Sequence, residues 1–97
     1  MDCTVIVGLQ LAEGNAEAFK SAFEQMLPDT RKFDGFVSFE LDQDQDDPNH
    51  FVMVESWTSR AHHEKYFAWR TERGDLTAMM AMLTAPPTVT YLDPVAV

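Results

Sequence analysis

A chain of 97 residues, 45% of them hydrophobic and 11% aromatic, has the length for a single domain over residues 1–97 and the composition of a folding chain. Its formal charge of -9 excludes a phosphate-reading surface, so neither nucleic acid nor an anionic membrane is an expected partner. No apolar run reaches the roughly 20 residues of a membrane span, and the N-terminus lacks a signal peptide's basic region and long apolar core, so a cytoplasmic protein is expected.

Thr4 to Leu11 (TVIVGLQL) is nearly continuous in β-formers and apolar on both faces, as for a strand covered on both sides. Gly8 within it leaves room for a bulge, a close neighbour or the approach of a ligand. Cys3, the only cysteine, excludes an internal disulfide and reads as a small hydrophobe at the strand's start. Glu13 and Gly14 break the strand, and Asn15 is suited to cap a helix. Phe19, Ala22, Phe23, Met26 and Leu27 then recur at helical spacing, which predicts a helix over 15–27 that stops just before Pro28.

Asp34 and Gly35 signal a turn, and Phe36 to Leu41 (FVSFEL) reads as a second strand with Val37, Phe39 and Leu41 on one face. The run from Asp42 to Asn49 (DQDQDDPN) is a polar hairpin loop. Its alternating aspartates do not make a calcium loop, because Asp47 stands where the turn needs Gly and Met53 where a bidentate Glu is needed.

Phe51 to Trp57 (FVMVESW) alternates as a third strand, with Phe51, Met53, Glu55 and Trp57 on one face. A carboxylate between aromatics on a core-facing strand is costly unless paired or functional. Glu55 is therefore either half of an ion pair with Arg70 or Arg73, or a working acid or base. Thr58 and Ser59 can start a second helix, along which His62, Tyr66, Trp69 and Arg73 form one stripe. His62 and His63 are adjacent, so their side chains diverge by roughly 100° and cannot chelate one metal together. Trp57 and Trp69 suit either the core or a platform for a ring.

Gly74 is placed to end this helix, Asp75 to cap the next, and Leu76, Met79, Met80 and Leu83 carry the spacing of a short amphipathic helix. Pro86 and Pro87 stop it, and Thr88 to Leu92 (TVTYL) forms a fourth strand. The order β-α-β-β-α-(α)-β predicts an α+β, ferredoxin-like fold: a four-stranded antiparallel sheet with helices on one face.

Phe51, Glu55 and Trp57 in the pattern F-x-x-x-E-x-W, the Thr58-Ser59 cap followed by Ala61, the aromatic strand after Asp34-Gly35-Phe36, and Asp47-Pro48 before the third strand carry a resemblance. Over roughly residues 4–92 the chain resembles the antibiotic biosynthesis monooxygenase (ABM) domain family, of dimeric α+β barrel proteins. The resemblance implies a homodimer whose two sheets pack into a barrel, each subunit holding a pocket between sheet and helices. It also implies oxygenation of a phenol, quinol or aromatic polyketide without metal, flavin or haem, because a deprotonated electron-rich ring can itself pass an electron to oxygen. On this reading Glu55 is the base or orienter, with His62 and Tyr66 as further catalytic groups; Trp57, Trp69, Met53 and Phe51 bind the substrate, and no metal or cofactor is held. Many members carry a His nine residues after the Trp, where this chain has Tyr66; His62 lies one turn earlier on the same stripe. The first strand has no Asn of the kind used by haem-degrading relatives, so haem breakdown is not expected. The alternative is a non-enzymatic dimeric barrel that binds a small apolar ligand or serves in assembly.

Overall fold

The computed structural model describes residues 2–97. Strand β1 (Cys3–Gln10) is followed by helix α1 (Ala16–Lys32), strands β2 (Phe36–Gln43) and β3 (His50–Trp57), helix α2 (Arg60–Arg73), the single turn α3 (Thr77–Met80) and strand β4 (Thr88–Leu92). The strands form one sheet in the order β2-β3-β1-β4, with every neighbouring pair antiparallel. This is the ferredoxin-like α+β fold expected from the order of elements. No helix among the described residues is long and apolar enough to cross a membrane.

The alternation of β1 sorts its side chains cleanly. Cys3, Val5, Val7 and Leu9 are buried beneath the helices, whereas Thr4, Ile6, Gly8 and Gln10 are only half-buried on the other face. Strand β3 pairs with β1 in the register Val5 to Glu55 and Leu9 to Phe51. Its odd-numbered residues from Phe51 to Trp57 therefore share the helix-covered face. Trp57, Phe19, Phe51, Leu11 and Val5 are the largest fully buried side chains. Gly8 sits in mid-strand for a structural reason: a Cβ there would lie 2.6 Å from Oγ1 of Thr88 on the adjoining strand.

Four departures from the sequence reading have identifiable causes. Helix α1 runs on through Pro28 to Lys32. Its C-terminal part is held from outside by Arg70, whose Nη2 donates to the Met26 carbonyl at 2.8 Å, and from within by Thr30 Oγ1, which donates to the same carbonyl at 3.1 Å. Asn15 stands at the N-cap position but makes no cap; its Nδ2 donates instead to the Met82 carbonyl at 3.3 Å. In β2, a register shift between Phe36 and Ser38 opposite β3 turns Phe36 toward the buried face and leaves Val37 exposed, the reverse of strict alternation. Asp75 does not cap α3, because its carboxylate is taken by Arg70 at 2.8 Å and Arg73 at 3.0 Å, and α3 is one turn long.

The acidic hairpin is stabilised by its own aspartates. Oδ1 of Asp44 accepts from the Asp46 amide at 2.8 Å and Oδ1 of Asp47 from the Asn49 amide at 2.9 Å. These are side-chain-closed turns of the kind Asp favours.

Candidate active site

Glu55 reaches the centre of the covered face because β3 alternates and because its cross-strand neighbours there are Val5 and Phe39. The residue is only 5% exposed. Its Oε1 accepts a hydrogen bond from Nε1 of Trp57 at 2.9 Å, and Oε2 has no partner among the described residues. Neither arginine pairs with it: Arg70 and Arg73 both go to Asp75. Burial pushes the Glu55 carboxyl above its ordinary range, and the Trp57 bond opposes the shift without cancelling it.

Helix α2 starts where Ser59 accepts from the His62 amide at 3.3 Å and ends at Gly74, whose φ of +77° is the left-handed conformation suited to glycine. Its buried stripe is His63, Tyr66 and Arg70, one residue out of phase with the stripe through His62 and Trp69. His63 is 3% exposed, and its Nδ1 lies 2.9 Å from the Tyr91 hydroxyl on β4. Burial lowers its proton affinity below the usual imidazole value, so the ring is neutral near neutral pH.

Arg70, 2% exposed, ties the layers together. Its Nη1 donates to Asp75 at 2.8 Å, its Nε to the Tyr66 hydroxyl at 3.1 Å, and its Nη2 to Thr30 Oγ1 at 3.1 Å as well as to Met26. The Tyr66 hydroxyl lies 2.7 Å from Thr30 Oγ1. Since the Thr30 hydroxyl proton points to the Met26 carbonyl, the Tyr66 proton goes to Thr30. Tyr66 thus offers the cavity its ring, with its hydroxyl already engaged as donor and acceptor.

Between sheet and helices lies a cavity of about 70 Å³. The sheet contributes Val7, Leu9, Phe39, Met53 and Glu55, and α1 contributes Phe19, Phe23, Met26 and Thr30. Helix α2 supplies His63, Tyr66 and Phe67, while Leu76, Met79, Met80 and Val89 close the remaining side. With Thr30 and Tyr66 bonded to each other and to Arg70, the polar atoms free to meet a guest belong to Glu55 and His63.

Of the residues singled out from the sequence, Glu55, Tyr66 and Met53 line this cavity together. Trp57 lies behind it, fully buried, with its ring 5.0 Å from that of Tyr66 and 5.6 Å from that of His63. Phe51 is buried against Phe19 at 5.5 Å and is not part of the wall. Trp69 faces away, under the guanidinium groups of Arg70 and Arg73, each 4.7 Å from its ring. His62 lies outside, its Nδ1 2.7 Å from Ser59 Oγ and its Nε2 3.7 Å from Asp34. His63, read from the sequence as one of an adjacent pair without a role, is the histidine on the cavity. Its signal was the spacing His63, Tyr66, Phe67, Arg70, an i, i+3, i+4, i+7 stripe disguised by an arginine in an apolar place.

The sequence profile described as "Antibiotic biosynthesis monooxygenase" matches residues 3–71. No curated protein matches the chain. Among solved structures, one described as an antibiotic biosynthesis monooxygenase superposes with a TM-score of 0.85 at 23% identity, covering 97% of this chain and 99% of that one. SnoaB of Streptomyces nogalater, described as a cofactor-independent oxygenase, gives a TM-score of 0.83 at 20% identity over 99% of this chain and 95% of its own. PA3566 of Pseudomonas aeruginosa gives 0.76 at 26% identity, over 98% and 95% respectively.

Proposed function

Because the chain belongs to the antibiotic biosynthesis monooxygenase family, we propose that it is a cofactor-independent monooxygenase of an electron-rich aromatic substrate, a phenol, quinol or aromatic polyketide. The observation that carries this reading is Glu55: a carboxylate held inside an apolar cavity, with no cation beside it and no partner for one of its oxygens among the described residues. Such a group is a stronger base than a solvated carboxylate, and it lines the cavity that a ring would enter. SnoaB, described as a cofactor-independent oxygenase, has the same fold, and this supports the reading.

In the proposed reaction Glu55 takes a proton from the substrate. The resulting carbanion or phenolate passes an electron to dioxygen, and the two radicals combine into a peroxide. For an activated CH₂ group, loss of water then leaves a carbonyl: one oxygen atom stays in the product, the other departs in water, and the substrate supplies the electrons. The apolar walls exclude solvent from the anion, and Trp57 holds Glu55 in place. His63, neutral and bonded to Tyr91, is the second polar group on the cavity; in the tautomer in which the Tyr91 hydroxyl donates to Nδ1, Nε2 carries the proton and is a donor for developing negative charge.

The uncovered sheet face carries Ile6, Val52 and Val54, all half-buried, and exposed Leu92, among Thr and Ser. We read it as the surface on which a second copy packs sheet to sheet in a homodimer. Oxygen uptake with a panel of anthrones and quinols in chelator-treated buffer tests the activity. Turnover by the wild type that falls at least about 100-fold in Glu55→Gln supports the proposal. No turnover across the panel, or an unchanged rate in the variant, overturns it.

A further inference from the structure

The cavity discriminates by what it lacks. Of the chain's 7 lysines and arginines, none lines the cavity. Arg70, the cation packed against one of its walls, has its donors committed to Asp75, Tyr66, Thr30 and the Met26 carbonyl. A carboxylate brought inside would lose its hydration with no cation in compensation, and would lie beside Glu55 in a medium of low dielectric. The net charge of -9 opposes its approach as well.

Size narrows the guest further. The free space of about 70 Å³ is less than half of the roughly 150 Å³ apolar cavity known to accept benzene, so the walls must yield even to one ring. Met26, Met53, Met79 and Met80 stand around the space, and methionine, unbranched and soft, is the side chain that makes room by rotation. Rotations of this kind admit a small ring system, whereas a four-ring substrate would require the elements themselves to part.

We infer that the cavity takes an uncharged phenol or hydroquinone of one or two rings and turns away aromatic carboxylates. This rests on the cavity being the site of the oxygenase proposed above, and it narrows the substrate of that site to a neutral, compact ring with a hydroxyl for Glu55 or His63.

Binding is read without turnover by ¹³C-methyl methionine NMR, titrating 2-naphthol, 6-hydroxy-2-naphthoic acid and 1-hydroxypyrene into the full chain near neutral pH. The expected result is movement of the Met26, Met53, Met79 and Met80 methyls with little movement of Met82, which is not on the cavity. 2-Naphthol is expected to bind at least about tenfold more tightly than the acid, a difference of about 1.4 kcal/mol. Met80→Lys, which brings an ammonium to the cavity wall, is expected to erase that preference. Equal or tighter binding of the acid to the wild type, no response of the four methyls to 2-naphthol, binding of 1-hydroxypyrene as tight as that of 2-naphthol, or a preference unmoved by Met80→Lys each overturns the inference. Selective binding of 2-naphthol without oxygen uptake from any phenol sustains the selectivity and removes the oxygenase reading, so the two fail separately.

Discussion

Trp57 donates its indole hydrogen to Glu55, two residues earlier on the same strand, at 2.9 Å. Residues two apart on a strand share a face, so the register that buries the largest ring also supplies the carboxylate's one donor among the described residues. The bond favours the ionised form, which a base requires, against the burial that disfavours it.

Replacing Trp57 by Phe keeps a ring and removes the donor. Glu55 is then expected to hold its proton to higher pH, and the acidic limb of the activity profile to move upward. Stability is expected to fall by about 1–3 kcal/mol, from the lost bond and the space left behind. Infrared titration of the carboxyl band and urea unfolding measure the two effects; an unmoved band would mean that the indole does not tune the acid.

Glu55 also leaves a mark on stability. Its folded proton affinity is raised, so between its unfolded and folded values the native state holds a proton that the unfolded chain has released. The associated stabilisation is complete below the unfolded value and is lost as pH rises through the folded one. Glu55→Gln, with no proton to lose, is expected to flatten this part of the curve. Wild type and variant compared by urea unfolding across the pH range above about 4.5 should diverge in that sense.

His63 acts with the opposite sign. Burial lowers its affinity, so the unfolded chain takes up a proton that the folded one refuses, and stability falls as pH drops below about 6.5. In His63→Asn the acid-side loss from this group is expected to vanish. Tyr91→Phe leaves the imidazole in place but removes its partner, and the His63 titration followed by NMR is expected to move. An unmoved titration would place the Tyr91 contact outside the control of the ring.

Arg70→Lys is expected to behave as a severe substitution despite the conserved charge. One ammonium cannot span Asp75, Tyr66, Thr30 and the Met26 carbonyl as the planar guanidinium does. A loss of about 3 kcal/mol or more is expected, with Tm lowered by more than about 10 °C. A thermal scan within a few degrees of wild type would show that α1 keeps its C-terminal part without this anchor.

The architecture was legible because the strands announce themselves by alternation and the helices by their stripes. Gly74 marked the end of α2 and Ser59 its beginning, each for a local reason that no distant residue overrides. What misled was non-local. Pro28 looks terminal until Arg70, more than forty positions on, is seen holding the Met26 carbonyl. The phase of α2 turns on the same residue, since a charge in the buried stripe can be recognised only once its partners are known. The extra residue in β2 has no cue in FVSFEL, so Phe36 and Val37 exchange faces unannounced. For Glu55 the position was readable, but its companion was not: an ion pair with an arginine and a bond from an indole are equally consistent with the spacing.

The guanidinium that clamps the end of α1 to α2 has a mechanical corollary. One flank of the chamber is bolted by that closed set of hydrogen bonds, and the segment that follows the single turn Thr77–Met80 is pinned as well, the Met82 carbonyl accepting from the Ala12 amide at 2.8 Å and the Thr84 amide donating to the Gln10 carbonyl at 2.9 Å. An entering guest will find the backbone braced on both sides. Room for it has to come from the methionine side chains themselves, swinging within a frame whose main chain is fastened at both ends.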